Sequence, residues 1–265
     1  MLLTLSVAAI RDLLVERDGE PPAFRPRDLP RLAAEDLGLN ALHLNTSLLK
    51  GWNAKQVDEF RDAADKAHCP CLVLEEDEAH PMADQDDDIV EQSVERMTRV
   101  LRVAHRLGCS AVAMTLAEAR GEDATDFTRE HLRDLVKRAE RLELNLLVTP
   151  SPGLTEDPNQ LTALIRDVGG FRIGTCPSFA AAAATGDPAG YLKTVAPYAS
   201  AIVAQVGAVD NDGDHAAFDL TACIDAIQAV GYDGSLAIHP ISGDPIEQAR
   251  RARDAITEIL ETESA

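Results

Sequence analysis

The chain is short of aromatic residues, which make up 4% of its 265 positions. Any core must therefore be filled by Leu, Ala, Val and Ile. It is also short of positive charge: Lys and Arg number 25 against 45 Asp and Glu, for a net charge of -20. A phosphate backbone selects clustered Lys and Arg, so no nucleic-acid partner is expected, and the same balance argues against an anionic membrane surface. No apolar run approaches the roughly 18 residues of a membrane helix. The apolar start, residues 1–10, has no basic leader and is followed at once by Arg11 and Asp12. It reads as a first strand rather than a signal peptide. The five cysteines are scattered and odd in number, which speaks for a reducing compartment without a disulfide framework and for a cytoplasmic location. Cys69-Pro-Cys71 has the look of a ligand pair, yet it sits where a helix hands over to a strand, and packing is the reading adopted.

What the chain does contain is one unit repeated. Around residues 145–157, Leu146, Leu147 and Val148 form a short run apolar on both faces, as a strand covered by helices and backed by a filled core requires. Thr149 ends the run, and Pro150 and Pro152 cannot continue a ladder. Similar runs fall at residues 2–7, 41–45, 71–75, 111–115, 171–176, 200–206 and 234–238. Amphipathic helical segments follow them: 29–37 capped by Asp28, 54–67 capped by Asn53, a long one ending near Gly108, then 128–142, 159–168, one starting at Asp187-Pro188, 220–230 capped by Asp219, and 245–261. Residues 75–88 read as an acidic loop and 180–184 as a low-complexity patch. Eight strand–helix units in about 250 residues are the size of a single (β/α)8 barrel, an α/β fold. An open doubly wound sheet would want a Gly-rich loop after its first strand, and residues 6–10 offer none. No composition shift marks a second domain, so residues 1–265 are taken as one.

The ordered motifs strengthen this. Ser6-Val7-Ala8-Ala9-Ile10, residues 37–45 with Leu37-Gly38-Leu39-Asn40, Pro152-Gly153-Leu154-Thr155, Gly174-Thr175-Cys176-Pro177, Gly231-Tyr232-Asp233-Gly234 and Gly243-Asp244-Pro245 follow in sequence. In order and spacing the chain resembles the xylose-isomerase-like TIM barrels, the sugar phosphate isomerase/epimerase superfamily, nearly end to end. The resemblance implies a divalent metal held by Glu, Asp, His and Glu at the tips of strands five to eight, where it polarises a carbonyl or enediolate oxygen while carboxylates move a proton. Those positions fall here on Thr149, Ser178, Ala204 or Gln205, and His239. None is a carboxylate, and neutral oxygens do not offset the dehydration of a hard cation. No metal site is therefore expected. The superfamily's zinc-dependent DNA-repair endonucleases would require His and carboxylate ligands, and a basic surface, that this chain lacks.

Strand alternation points Ser6, His43, Asn45, Glu75, Thr115, Thr149, Ser178, Gln205 and His239 into the barrel mouth, where such barrels hold their sites. The expected site is thus a polar, mostly neutral ring. His239, His43 and Glu75 are the candidate acid–base groups; Asn45, Trp52, Thr115, Thr149, Ser178 and Gln205 are the candidate ligand contacts. Each has a plainer reading. The histidines could be satisfied rim residues, Glu75 the start of a solvated loop, and Trp52 a loop staple rather than a sugar-stacking platform. His80, beside Pro81, reads as loop surface. His105 and His131 lie on helices. Asp210, Asp212 and Asp214 resemble a calcium loop only loosely, since its bidentate Glu is missing.

Two functions compete. One is a non-catalytic binder of a small sugar- or polyol-like ligand, a barrel of isomerase descent without its metal. The other is an active sugar (phosphate) isomerase or epimerase with altered acid–base residues or an altered metal site, using Mn or Zn if a divalent metal is retained. A third arrangement would place a transition metal on His239, His43 and Glu75. The sequence leaves oligomerisation open.

Overall fold

A computed structural model describes residues 1–16, 19–119, 123–209 and 218–262. Eight parallel strands form one curled sheet: β1 (Leu2–Ser6), β2 (Leu42–Asn45), β3 (Cys71–His80), β4 (Ala111–Leu116), β5 (Asn145–Thr149), β6 (Ile173–Thr175), β7 (Ala201–Val206) and β8 (Ser235–Pro240). Their order is β6-β5-β4-β3-β2-β1-β8-β7. Parallel bridges Thr175↔Ala199 and Ser178↔Val203 join the two ends, with Val203 N–H donating to the Pro177 carbonyl at 2.9 Å. The sheet is thereby closed into a single (β/α)8 barrel.

The helices α1 (Leu29–Arg31), α2 (Ala54–Lys66), α3 (Asp87–Leu107), α4 (Ala124–Glu140), α5 (Pro158–Val168), α6 (Phe179–Ala184), α7 (Pro188–Val195), α8 (Leu220–Ala229) and α9 (Pro245–Thr262) alternate with the strands. Local chemistry sets their starts. Asn53 and Gln56 exchange the two hydrogen bonds of a capping box at α2. Asp157, Ser178, Asp187 and Asp219 cap α5, α6, α7 and α8 through their side chains. Asp28 makes no such cap, and the expected helix over 29–37 is instead the short α1 followed by a wider π-type turn, Leu32–Asp36. Gly38, at φ +63°, ends it.

Two apolar clusters result from the alternation of side chains along each strand. Leu42, Leu44, Leu74, Val112, Met114 and Ile238 are among those facing the helices. Inside the barrel stand mostly smaller groups, including Val73, Ala111, Ala113, Val203 and Ala237 around Leu147. Small aliphatic side chains filling the barrel bore explain how so few aromatics suffice.

Other expectations are corrected as well. Strand three continues beyond residue 75 to His80, and the acidic stretch begins as strand rather than loop. His80 is 4% exposed, not loop surface. Strand six is only Ile173–Thr175, because Phe171 stands fully in solvent, and the patch at 180–184 is helical. Cys69 and Cys71 are buried and free; burial pushes their thiols up to about 11 and about 12, so they stay protonated, in line with packing. The loop of Asp210, Asp212 and Asp214 lies outside the described residues.

Candidate functional site

At the C-terminal ends of the strands the inward positions converge. Ser6 pairs in register with His43, and Asn45 with Glu75. Gln205 pairs with His239, and Thr115 with Thr149. This register gives Gln205 the interior face, while Ala204 is packed outward beneath the helices. His43 is almost fully buried, and its Nε2 lies 3.0 Å from Glu75 Oε2. With a carboxylate as partner, the proton belongs on Nε2, leaving Nδ1 as the acceptor. His239 Nδ1 lies 2.9 Å from Ser6 Oγ, so its Nε2 is the nitrogen not taken by Ser6.

Burial holds His239 below its ordinary pKa of 6.5, with His43 acting in the same direction and Glu75 opposing. Desolvation likewise lowers His80. A histidine depressed in the native state takes its proton more readily after unfolding. The stability that these two groups protect is therefore present above about pH 6.5 and is lost as pH falls through their lower native values. Urea unfolding at pH 7.5 and 5.5 should show the loss, and His239→Asn should flatten part of the slope.

One candidate acid–base residue and two candidate contacts present buried polar atoms that have no hydrogen-bond partner among the described residues: His43 Nδ1, Asn45 Oδ1 and Thr149 Oγ1. Ser178 is different, since its hydroxyl accepts from Ala181 N–H at 3.1 Å and is committed to capping α6. Trp52 stands outside the ring of strand tips. It is half-buried, with its ring centroid 5.5 Å from that of Phe60, which makes it a staple of the β2–α2 loop as well as a wall of the cleft beside the mouth. His105 and His131 each bond a backbone carbonyl from their helices.

Two carboxylates that read as a solvated loop prove to be structural. Glu76 points away from the bore and is fully buried, where it accepts both Arg96 Nε at 2.8 Å and Nη2 at 3.2 Å, as well as Thr46 Oγ1. Asp77 accepts from Asn45 Nδ2 at 3.2 Å and Ser47 N–H at 2.6 Å. Glu75 pairs with Ala113 and Ala79 with Thr115, so β3 takes four steps where β4 takes two. The resulting bulge separates the inward Glu75 from the two acids that pin the β2 loop. The only sequence signal for this was alternation: an acid directly after an inward acid must face the helices.

The family's metal positions, carried over by motif, present a threonine hydroxyl, a capping serine hydroxyl, an amide and an imidazole. That donor set does not fit a hard divalent cation. The alternative set of His239, His43 and Glu75 is also compromised, because His43 Nε2 is bonded to Glu75 and His239 Nδ1 to Ser6. Among the described residues no three His, Cys, Asp or Glu side chains are grouped to hold a metal ion.

Comparison with known proteins agrees with this architecture. A family model described as a xylose isomerase-like TIM barrel matches residues 32–259. The chain belongs to the xylose isomerase-like TIM barrel family. Among solved structures, an L-ribulose 3-epimerase superposes with a TM-score of 0.81 at 14% identity, covering 99% of this chain and 95% of that one. D-psicose 3-epimerase from Clostridium cellulolyticum H10, solved with D-tagatose, gives 0.76 at 13% identity over 100% and 98% of the two chains. The 3-keto-D-glucoside 4-epimerase YcjR from E. coli gives 0.74 at 13% over 98% and 99%. At these identities the likeness is one of fold. No curated protein matches the chain. Among the described residues no helix is long and apolar enough to cross a membrane.

Proposed function

We propose that this xylose isomerase-like barrel binds a small, uncharged polyhydroxy ligand in its mouth, without the divalent metal of its relatives. The observation that carries the reading is that three buried atoms at the inward strand tips, His43 Nδ1, Asn45 Oδ1 and Thr149 Oγ1, have no hydrogen-bond partner among the described residues. Each such group left unmet costs about 1–3 kcal/mol. A ligand bearing several hydroxyls can donate to the first two and exchange with the third. Glu75 gives the ring one carboxylate, held by His43, and none of the residues assigned to it is Lys or Arg. An anionic headgroup would find no counter-charge there, which disfavours sugar phosphates.

The ketoses named for the structural relatives supply the test. D-psicose, D-tagatose and L-ribulose are titrated into protein with labelled histidines, with and without EDTA. Saturable shifts of the His43 and His239 imidazole resonances, unaltered by the chelator, are the expected result. Affinity that appears only on adding Mn²⁺ would overturn the metal-free reading.

A second reading is favoured by the burial that keeps His239 neutral near pH 7 while Glu75 lies within its field. A neutral imidazole in that setting can take a proton from carbon beside a carbonyl, which would make the chain an epimerase of altered chemistry. None of the described residues assigned to the mouth is a Lys or Arg that could stabilise the enolate oxygen. Exchange of a ketose C–H with deuterium from solvent, abolished in His239→Ala, is its signature; retention of exchange in that variant removes it.

A further inference from the structure

Beside the mouth, between the segment that follows β1 and the β2–α2 loop, lies a cleft of about 490 Å³. Its walls are largely apolar: Val7, Leu14, Val15, Leu48 and Trp52. Its two charged residues, Arg11 and Asp12, have opposite signs and leave it without net charge. Asn45 belongs both to this wall and to the inward face of β2. It is 7% exposed, and its Oδ1 has no partner among the described residues, whereas its Nδ2 is committed to Asp77. The volume is within the range of small-molecule sites, roughly 300–1,000 Å³, where an apolar lining carries a few placed polar groups.

We infer that this cleft is a second subsite, joined to the mouth at Asn45, and that it takes a flat, uncharged ring attached to the polyhydroxy part of the ligand. The apolar walls and the half-buried indole accept a ring, by contact and by offset or edge stacking on Trp52. The free acceptor on Asn45 takes a hydroxyl at the junction. The compound class is therefore an aryl-substituted polyol rather than a bare sugar. The inference rests on the mouth reading for the polar half of the ligand only.

Trp52 is the chain's only tryptophan; it also borders a hollow with Gln56 and Phe60, so its emission reports the cleft when it is compared with variants in the cleft's own wall. The probe is 1-phenyl-1,2-ethanediol, which carries a ring and one hydroxyl pair. A saturable change in Trp52 emission is expected, weakened at least five-fold by Leu48→Asp. Val15 is 51% exposed, so Val15→Asp leaves folding intact and should also weaken the response. An emission unchanged up to the solubility limit of the probe, or a response indifferent to both variants, overturns the inference. The mouth is read separately, by the His239 imidazole and ketoses that carry no aryl group. Failure of one subsite is thereby distinguished from failure of the other.

Discussion

Arg96→Leu is expected to lower the unfolding free energy by about 3 kcal/mol, well beyond the usual effect of a surface arginine. The reason is its partner. Glu76 is fully buried on the helix-facing side of β3, and both nitrogens of the Arg96 fork bond it. Removing the guanidinium leaves a carboxylate out of water with only Thr46 Oγ1 and the Glu78 N–H to hold it. Breaking a buried pair by deleting one partner typically costs about 3–5 kcal/mol. The two surviving donors and the 40% exposure of the Arg96 side chain place this case at the low end. The double variant Arg96→Leu with Glu76→Leu should recover much of the loss, since no unpaired charge remains. Urea unfolding of the native protein and the two variants measures it. A loss under about 1 kcal/mol for the single change would mean that the pair behaves as an exposed ion pair.

The same ion pair shows what the sequence could and could not disclose. Barrel strands that are covered on the outside and filled within announce themselves as short apolar runs, and Leu146-Leu147-Val148 ending at Thr149 was legible without any partner. The inward assignments of His43, Glu75, Thr149 and His239 followed from a period of two, which the backbone enforces wherever a strand is regular. Caps such as Asn53 and Asp187 were readable because their chemistry is local. What was not readable depended on residues far apart in the chain. Glu76, Asp77 and Glu78 look like a solvated acidic run until Arg96, twenty positions later, and Thr46, thirty positions earlier, are brought against them. The extension of β3 to His80 has that same origin. Strand six was read too long for the converse reason: Phe171 has an apolar side chain but no neighbour to bury it. Ser178 bridges Val203 just beyond β6, yet its hydroxyl is used by the first turn of α6. The metal positions were located by motif, which left Ala204 and Gln205 as alternatives; alternation favoured Gln205 for the bore, and the strand register agrees.

Restoring the family's ligands should restore a metal site. In the variant Thr149→Glu, Ser178→Asp, Gln205→His and His239→Glu, Mn²⁺ affinity is expected to rise at least a thousand-fold over the native protein, from millimolar or weaker to micromolar. At about 1.4 kcal/mol per ten-fold change, that is about 4 kcal/mol gained from three new carboxylates and one new imidazole. The framework should tolerate the changes. Aspartate caps a helix as well as serine does, so residue 178 can keep α6 started if one oxygen serves Ala181 N–H. Positions 205 and 239 are register partners on adjacent strands, close enough for an imidazole and a carboxylate to share an ion. Position 149 gives up a buried hydroxyl that has no partner among the described residues. Calorimetric titration of Mn²⁺ into both proteins, with circular dichroism to show that the variant is folded, reads the result. Micromolar binding by the native protein would mean that other oxygens close around the ion, and the metal-free reading of the mouth would fail. A folded variant that gains nothing would show instead that the four positions do not converge. The stated gain requires both that the four tips point to one centre and that neutral side chains are what keep the cation away from it.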